Sequence, residues 1–200
     1  MLTTEIHREL EPALNMLIDN EQIVAIFQNH SEWGPRALGN RSIMFDPRHP
    51  RAKEIVNLVK KREAYRPFAC TVMLEHAHEY FEMLQLPESP WMSFAIQCKP
   101  KALKDIPTLV HADNTCRIQT VTEEQNPNYY NFIKAFYERT GVPIIFNTSF
   151  NLGGESIVET VYDAIDTCNR SMINHLYIPE DQEIEIPYEC IRDKTEYLPD

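Results

Sequence analysis

Three short stretches of the sequence combine residue types that can bind phosphate. The first is GPRALGNR at 34–41, where a Gly-Pro turn precedes Arg36, a second glycine and Arg41. Such a loop can orient backbone N–H groups and guanidinium groups toward one anion. A planar guanidinium binds two phosphate oxygens at once. The alternative is a structural turn whose arginines pair with acidic residues, since short motifs often match by chance.

The second stretch is KKREAYRPF at 60–68. Lys60 and Arg62 would project in different directions on a continuing helix, because residues two apart do not share a face. Pro67 favours an end to the helix, after which the chain becomes extended and these cations can converge. Arg66, directly before Pro67, is then expected at the start of the following strand. A helix C-terminus also favours cations, which is a purely structural explanation of the same residues.

The third stretch is FNTSFNLGG at 146–154, which follows an apolar run typical of a buried strand. Asn147, Thr148, Ser149 and Asn151 offer neutral donors and acceptors that suit a nucleotide or a carbamoyl group. Ligands of open α/β sheets gather at the carboxyl ends of strands. Two of the five glycines in the chain adjoin here, which indicates a close approach of the backbone to another group. An ordinary polar turn is the alternative.

The charge distribution supports a local anion site within an acidic chain. The 200 residues carry a net charge of −11, whereas the segment 36–66 holds nine lysines and arginines against three acids, or +6. The remainder is therefore −17, and a cationic stretch in such a protein is typical of a local anion site, with a solvated helix face as the alternative. The overall charge argues against direct nucleic-acid binding, which needs surplus cation.

The composition predicts one ordinary globular domain in a reducing compartment. No apolar run approaches the length of a membrane span, and the first residues lack the pattern of a secretory signal. The five cysteines are scattered and include no CxxC pair, so neither a disulfide framework nor a zinc site is expected. We therefore expect buried or idle thiols and a cytoplasmic location.

Strands and helices alternate along the chain, which predicts an α/β architecture around one sheet. Apolar periodicity places Val56 and Val59 on the inner face of a helix and Asn57 and Lys60 on another face. Gly141 is the expected C-terminal cap of a later helix. Strands are predicted at 22–28, 68–74, 92–98, 116–121, 142–146 and 174–178, helices at 4–19, 50–61, 75–84, 131–140 and 159–170, and an irregular loop at 30–42.

Several familiar catalytic motifs are missing from the sequence. There is no Walker loop, no GxGxxG fingerprint and no nucleophile elbow, so ATP would need another kind of cradle. His76 and His78 do not converge on a helix, and a solvated face explains them better than a metal site. No metal ligands are predicted.

Taken together, five segments resemble the carboxyl-terminal domain of the O-carbamoyltransferase family, which includes nodulation-factor, cephem and aminoglycoside carbamoyltransferases. The resemblance covers about residues 15 to 178, which we take as the core, with 179–200 as an acidic surface tail. It is carried, in order, by EWGPRALGNRSIMFDPR (32–48), VNLVKKREAYRPFA (56–69), SPWM (89–92), CRIQTV (116–121) and TGVPIIFNTSFNLGGESIV (140–158).

The resemblance implies a fold and a reaction. The fold is a single YrdC-like α/β domain, a twisted mixed β-sheet with flanking helices, and the reaction makes carbamoyl-adenylate from ATP and carbamoyl phosphate. Lys60-Lys-Arg62 and Ser149-Phe-Asn151 look like the KxR…SxN pattern of YrdC-like proteins. The resemblance places Arg36, Lys60, Arg66 and Arg117 at the reacting phosphates, and Arg41, Arg62, Asn147, Thr148, Ser149 and Asn151 in substrate binding. Mg²⁺ is expected mainly on the ATP phosphates, because no carboxylate cage is visible.

The sequence departs mildly from the family pattern at Cys70, Trp91, Asn114 and Ser156, none of which is a proposed phosphate ligand. The resemblance also implies a large transferase domain of the ASKHA type that lies outside these 200 residues. We expect a natural small subunit that pairs with a separate large subunit, and an excised domain is the alternative. Other functional hypotheses are a threonylcarbamoyl-adenylate synthase of tRNA modification and a non-catalytic nucleotide-binding subunit. The carbamoyl acceptor is not predicted.

Overall fold

The computed structural model describes residues 4–179, and this part of the chain folds around one sheet of eight strands. The strands are β1 (Glu5–His7), β2 (Val24–Phe27), β3 (Arg41–Phe45), β4 (Ala69–Met73), β5 (Ala95–Gln97), β6 (Thr115–Val121), β7 (Ile144–Ser149) and β8 (His175–Tyr177). The helices are α1 (Leu10–Ile18), α2 (Ala52–Val59), α3 (Ala77–Tyr80), α4 (Pro100–Asp105), α5 (Pro127–Thr140) and α6 (Val161–Asn169).

The sheet is mixed, as expected, with the strand order β1-β8-β2-β3-β7-β4-β6-β5. The pairs β1/β8, β2/β8 and β4/β6 are parallel, and the remaining neighbours are antiparallel. Every residue of β2, β3 and β4 is buried, which is the pattern of strands covered on both faces. The apolar runs that predicted β2 and β4 therefore lie at the centre of the domain.

Most predicted elements are present. The predicted helix at 50–61 is α2, the helix at 131–140 is α5, and the helix at 159–170 is α6. Gly141 adopts a φ of +74° and caps α5, as its position after the last apolar turn indicated. The strand predicted at 92–98 is shorter, and the helix predicted at 75–84 consists of a 3-10 turn followed by the single turn of α3.

Three parts of the prediction are wrong. Residues 4–19 are not one helix, because Glu5–His7 pair with β8 as an edge strand and the helix begins only at Leu10. The loop predicted at 30–42 ends earlier, because β3 begins at Arg41 and pairs with β2 on one side and β7 on the other. Helix α4 begins at Pro100 in a polar stretch to which no element was assigned.

The sequence also predicted buried or idle cysteine thiols and an acidic surface tail. Cys70, Cys98, Cys116 and Cys168 are free and buried, as expected of idle thiols. Of the predicted tail at 179–200, Pro179 is buried, and residues 180–200 lie outside the described residues. No helix in the described part of the chain is long and apolar enough to cross a bilayer.

Candidate functional site

One face of the sheet carries a group of polar side chains contributed by three neighbouring strands. In β7, Asn147 lies opposite Ala69 of β4, and Ala69 lies opposite Arg117 of β6. Residues directly opposite one another share a face, and side chains alternate along each strand. Arg117, Asn147 and Ser149 therefore face the same side, whereas Thr148 faces the other side and does not join them.

Lys60 lies at the end of α2, and its ammonium group is enclosed by the chain that follows β7. The side chain is only 2% exposed. Its Nζ atom lies 2.5 Å from the carbonyl oxygen of Ser149 and 3.3 Å from the Ser149 hydroxyl. It also donates to Asn151, at 2.8 Å to the Oδ1 atom and 3.1 Å to the carbonyl oxygen. Lys60 of the KxR…SxN pattern thus meets Ser149 and Asn151 in space, and it is buried although periodicity placed it away from the inner face of α2.

The backbone of Lys60 is also held by the loop after β7. The N–H of Gly153 donates to the carbonyl oxygen of Lys60 at 2.7 Å. A Cβ atom on Gly153 would lie 2.9 Å from the carbonyl oxygens of both Lys60 and Lys61. The close approach that the glycine pair predicted is therefore the contact between this loop and the end of α2.

All four acceptors around the Lys60 ammonium group are neutral. Burial, followed by the positive charge of Arg62, lowers the pKa of Lys60 to about 7. Among residues 4–179 no carboxylate pairs with this ammonium group, so an anion beside it would favour its charged form.

Arg62 is positioned by a residue that the sequence analysis missed. Its Nε atom donates to Oδ1 of Asn57 at 2.6 Å, and its guanidinium lies 4.1 Å from the centre of the Phe68 ring. Asn57 is 1% exposed and also donates to the carbonyl oxygens of Ala64 and Arg66, which closes the turn after α2. The sequence offered one sign of this role, since Asn57 is a polar residue directly after the buried Val56. Helical periodicity, however, placed Asn57 on another face of α2.

Four arginines from three segments form a chain of neighbouring like charges that begins beside Lys60, where Arg62 acts directly on the ammonium group. Burial, followed by the charges of Arg66 and Arg117, lowers the pKa of Arg62 to about 10. Burial, followed by the charge of Arg36, lowers the pKa of Arg117. We call Lys60, Arg36, Arg62, Arg66 and Arg117 the cation cluster.

The cation cluster has little negative charge to balance it. Glu63 forms an ion pair with Arg66 at 2.9 Å, and no other cluster member has an ion pair among residues 4–179. The Nη2 atom of Arg62 and the Nε atom of Arg117 are buried and have no hydrogen-bond partner in the described part of the chain. Two partly buried guanidinium groups of the cluster therefore each keep one buried donor unused, which is costly unless an acceptor is supplied.

The loop that carries Arg36 is held by Glu32, a second residue that the sequence analysis missed. One carboxylate oxygen of Glu32 accepts hydrogen bonds from the N–H groups of Leu38, Asn40 and Arg41 at 2.7, 2.7 and 3.2 Å. Gly39 adopts a φ of +110°, and a Cβ atom there would lie 2.3 Å from the Tyr129 ring. The GPRALGNR stretch is thus a fixed loop, and nothing in the sequence pairs Glu32 with its distant N–H groups.

Two amide side chains fasten this loop to the polar face of the sheet. Asn147 donates to the carbonyl oxygen of Ala37 at 3.1 Å, and Gln119 donates to that of Leu38 at 2.9 Å. Asn147 also donates to Thr71 and Gln119, while its Oδ1 atom is buried with no partner in the described structure. Gln119 was missed, although its position two residues after Arg117 in a strand places it on the same face.

Arg41 does not join the cation cluster. Its guanidinium donates to four carbonyl oxygens, those of Gln28, Asn29, Asn40 and Glu159, and stacks 3.6 Å from the centre of the Phe27 ring. With its Nη groups engaged by backbone acceptors, Arg41 joins the start of β3 to the chain before α6. These contacts indicate a structural role, while its Nε atom is buried without a hydrogen-bond partner among the described residues, and the predicted contact with substrate stays a prediction.

A cavity of about 510 Å³ adjoins the loop and the polar face. Trp33 and Trp91 are both exposed, and Leu38 and Gln119 connect the cavity wall to the segments that carry Arg36 and Arg117. Asn126, which caps α5, lines the same space.

Comparison with known proteins identifies the class. Residues 15–182 match the family described as the carbamoyltransferase C-terminus. Over 153 residues the chain is 45% identical to the nodulation protein NolO of Bradyrhizobium diazoefficiens, a match that covers 74% of this chain and 27% of that protein. Over 176 residues it is 31% identical to the 3'-hydroxymethylcephem-O-carbamoyltransferase of Amycolatopsis lactamdurans, covering 86% and 32%. The chain thus spans about a third or less of these relatives.

Solved structures confirm the expected fold. The chain superposes on full-length HypF in its phosphate- and nucleotide-bound form with a TM-score of 0.59 and 19% identity, covering 88% of this chain and 25% of HypF. A variant of Sua5 from P. abyssi gives a TM-score of 0.59 with 12% identity, covering 91% and 51%. These likenesses describe a YrdC-like fold. The chain belongs to the O-carbamoyltransferase family as a carboxyl-terminal-type domain.

Proposed function

We propose that this domain forms carbamoyl-adenylate from ATP and carbamoyl phosphate. The observation that carries the proposal is the cation cluster, in which four arginines and a lysine with a pKa of about 7 have one ion-paired carboxylate within the described structure. Two polyanionic substrates repel each other, and fixed positive charge offsets that repulsion before they react. Lys60, Arg62 and Arg117 have the unused hydrogen-bonding or ionic capacity that such substrates require.

The proposed reaction needs no nucleophilic side chain. Water first cleaves carbamoyl phosphate to carbamate and inorganic phosphate. An oxygen of carbamate then attacks the α-phosphorus of ATP, the bond to the β,γ-phosphates breaks, and the products are carbamoyl-adenylate and pyrophosphate. The cation cluster would hold the charge that builds up on the phosphate oxygens in both steps.

The division of labour within the site follows from how each residue is held. Lys60, Arg62, Arg66, Arg36 and Arg117 would contact phosphate groups, while Ser149 and Asn151 hold the Lys60 ammonium group in place. Asn147 would act indirectly, because its amide holds the loop that presents Arg36. Mg²⁺ would bind to the ATP phosphates, since the cluster offers it no group of carboxylates.

The cavity beside the cluster is a suitable place for the nucleoside part of ATP. Trp33 and Trp91 present aromatic faces, on which a base can stack, and Gln119 and Asn126 present amides that can bond its edge. The carbamoyl group would then pass to a hydroxyl acceptor on a larger transferase domain or subunit. The much greater length of the family members supports such a partner.

The proposal is tested by carbamoyl-phosphate-dependent exchange of labelled pyrophosphate into ATP, with Mg²⁺ present. Lys60→Gln should lower the exchange rate by at least about 100-fold, the scale of removing one preorganised charge stabiliser. Lys61→Gln is the matched control, because Lys61 is the exposed neighbour and its Nζ atom donates to the Arg170 carbonyl oxygen instead. It should retain full exchange.

The chain should be measured alone and with a candidate large subunit. Exchange that appears only with the partner would support a site that the partner completes. ATP binding without exchange in either case would overturn the proposal in favour of a non-catalytic nucleotide-binding subunit. Full exchange by Lys60→Gln would show that the cation cluster is not the reacting site.

A further inference from the structure

A group of potential metal ligands lies at the edge of the sheet, far from the cation cluster. Glu5 and His7 belong to the edge strand β1, and His175 belongs to its neighbour β8. The Nε2 atom of His7 lies 3.1 Å from Nδ1 of His175, and Oε2 of Glu5 lies 3.4 Å from that same nitrogen. One ligand atom from each of the three residues fits within a span of 4.8 Å.

The pairing of the strands accounts for this convergence. Glu5 lies directly opposite His175, and His7 is two residues further along β1, so all three side chains leave the same face of the sheet. His175 is 8% exposed, while the Glu5 side chain is 64% exposed. The group therefore has one buried imidazole, one half-buried imidazole and one carboxylate open to solvent.

We propose that Glu5, His7 and His175 bind one zinc ion. Zinc takes imidazole nitrogen and carboxylate oxygen ligands at about 2.0–2.2 Å, and a tetrahedron of that size separates its ligand atoms by about 3.3 Å. Two of the three separations, at 3.1 and 3.4 Å, are close to that value, and the third lies within the span of 4.8 Å. The described residues supply three ligands, and water can occupy the fourth position.

The ion would fasten a weakly attached strand to the sheet. Strand β1 has three residues, and within residues 4–179 its one neighbour in the sheet is β8, so few backbone hydrogen bonds hold it there. His7 and His175 are 168 positions apart in the chain, and their shared ion would join the first strand to the last. The sequence analysis predicted no metal ligands, because a Glu-Xaa-His pair and a histidine so far from it carry no recognisable spacing.

The proposal is tested with the 200-residue chain free of any polyhistidine tag. Zinc binding is measured in competition with a chromophoric chelator, and thermal unfolding is followed with and without zinc. We expect one ion per chain and, at free zinc about 100-fold above the dissociation constant, a rise in Tm of about 5–10 °C.

Variants separate this site from incidental zinc binding elsewhere in the chain. His7→Gln should weaken binding by more than about tenfold, and so should Glu5→Gln, whose exposed side chain can be changed without risk to folding. His78→Gln changes an exposed histidine outside the group and should bind zinc like the wild type. Equal affinity in all four proteins, or a wild-type Tm that does not respond to zinc, would overturn the proposal.

Discussion

Binding of ATP to the ligand-free chain should draw one proton onto Lys60. Burial and the charge of Arg62 hold the pKa of this ammonium group at about 7, well below its usual value of 10.5. A phosphate oxygen beside Nζ favours the charged form and raises the pKa again. At pH 8 about one Lys60 in ten is protonated before binding, so uptake should approach about 0.9 proton, falling to about 0.5 at pH 7 and about 0.1 at pH 6.

Calorimetry in buffers of different ionisation enthalpy measures this uptake directly. At pH 8 the terminal phosphate of ATP is already almost fully ionised, because its pKa is near 6, so the ligand itself contributes little. Phosphate buffer is avoided because it would compete for the site. Lys61→Gln should take up as many protons as the wild type, whereas Lys60→Arg, which keeps a charge that does not titrate in this range, should take up almost none.

A second measurement does not depend on whether the variants bind ATP. In protein labelled with ¹³C at the lysine Cε atoms, one resonance that is missing from Lys60→Arg should titrate near pH 7. Its midpoint should move above pH 9 when ATP is added. Uptake below about 0.3 proton at pH 8, together with a Lys60 midpoint near 10, would refute the description of Lys60 as an ammonium group awaiting its anion.

Three further predictions concern stability. Over pH 7 to 10 the unfolded chain keeps the Lys60 proton and the folded chain does not. The unfolding free energy of the wild type, measured by urea denaturation, should therefore rise relative to that of Lys60→Met by about 1.4 kcal/mol per pH unit. Gly153→Ala should lower the unfolding free energy by about 1–3 kcal/mol and weaken ATP binding, because the new Cβ atom would press on two backbone carbonyl oxygens. Unchanged ATP binding in calorimetry would contradict the close contact. Arg41→Lys should cost about 2–4 kcal/mol in thermal unfolding but leave the exchange rate per folded molecule unaltered, and a selective loss of exchange would return Arg41 to the site.

Much of the fold could be predicted because its central strands and longer helices have strong local patterns. The apolar run of β2 and the glycine cap of α5 are examples in which neighbouring residues alone determine the element. Strand β3 was missed because its signal is not local. Its first residue, Arg41, is tolerated in a buried strand because four carbonyl oxygens, three of them from other segments, accept hydrogen bonds from its guanidinium.

The sequence predicted the cationic residues of the candidate site but not the residues that hold them in position. Lys60, Arg62 and Arg117 were identified through motifs and resemblance, and the structure brings them together. Asn57 and Glu32 act through backbone groups that become neighbours only after folding, so no sequence spacing reports them. Thr148 illustrates the opposite error, since a motif groups adjacent residues that a strand sends to opposite faces.

The order of strands sets where any preceding polypeptide would be attached. Strand β1 is at one edge of the sheet, whereas β7 and β6 lie four and six positions away, or about 20 and 30 Å at the usual spacing. A segment fused ahead of residue 5 would therefore enter at the edge of the sheet that lies away from Asn147 and Arg117.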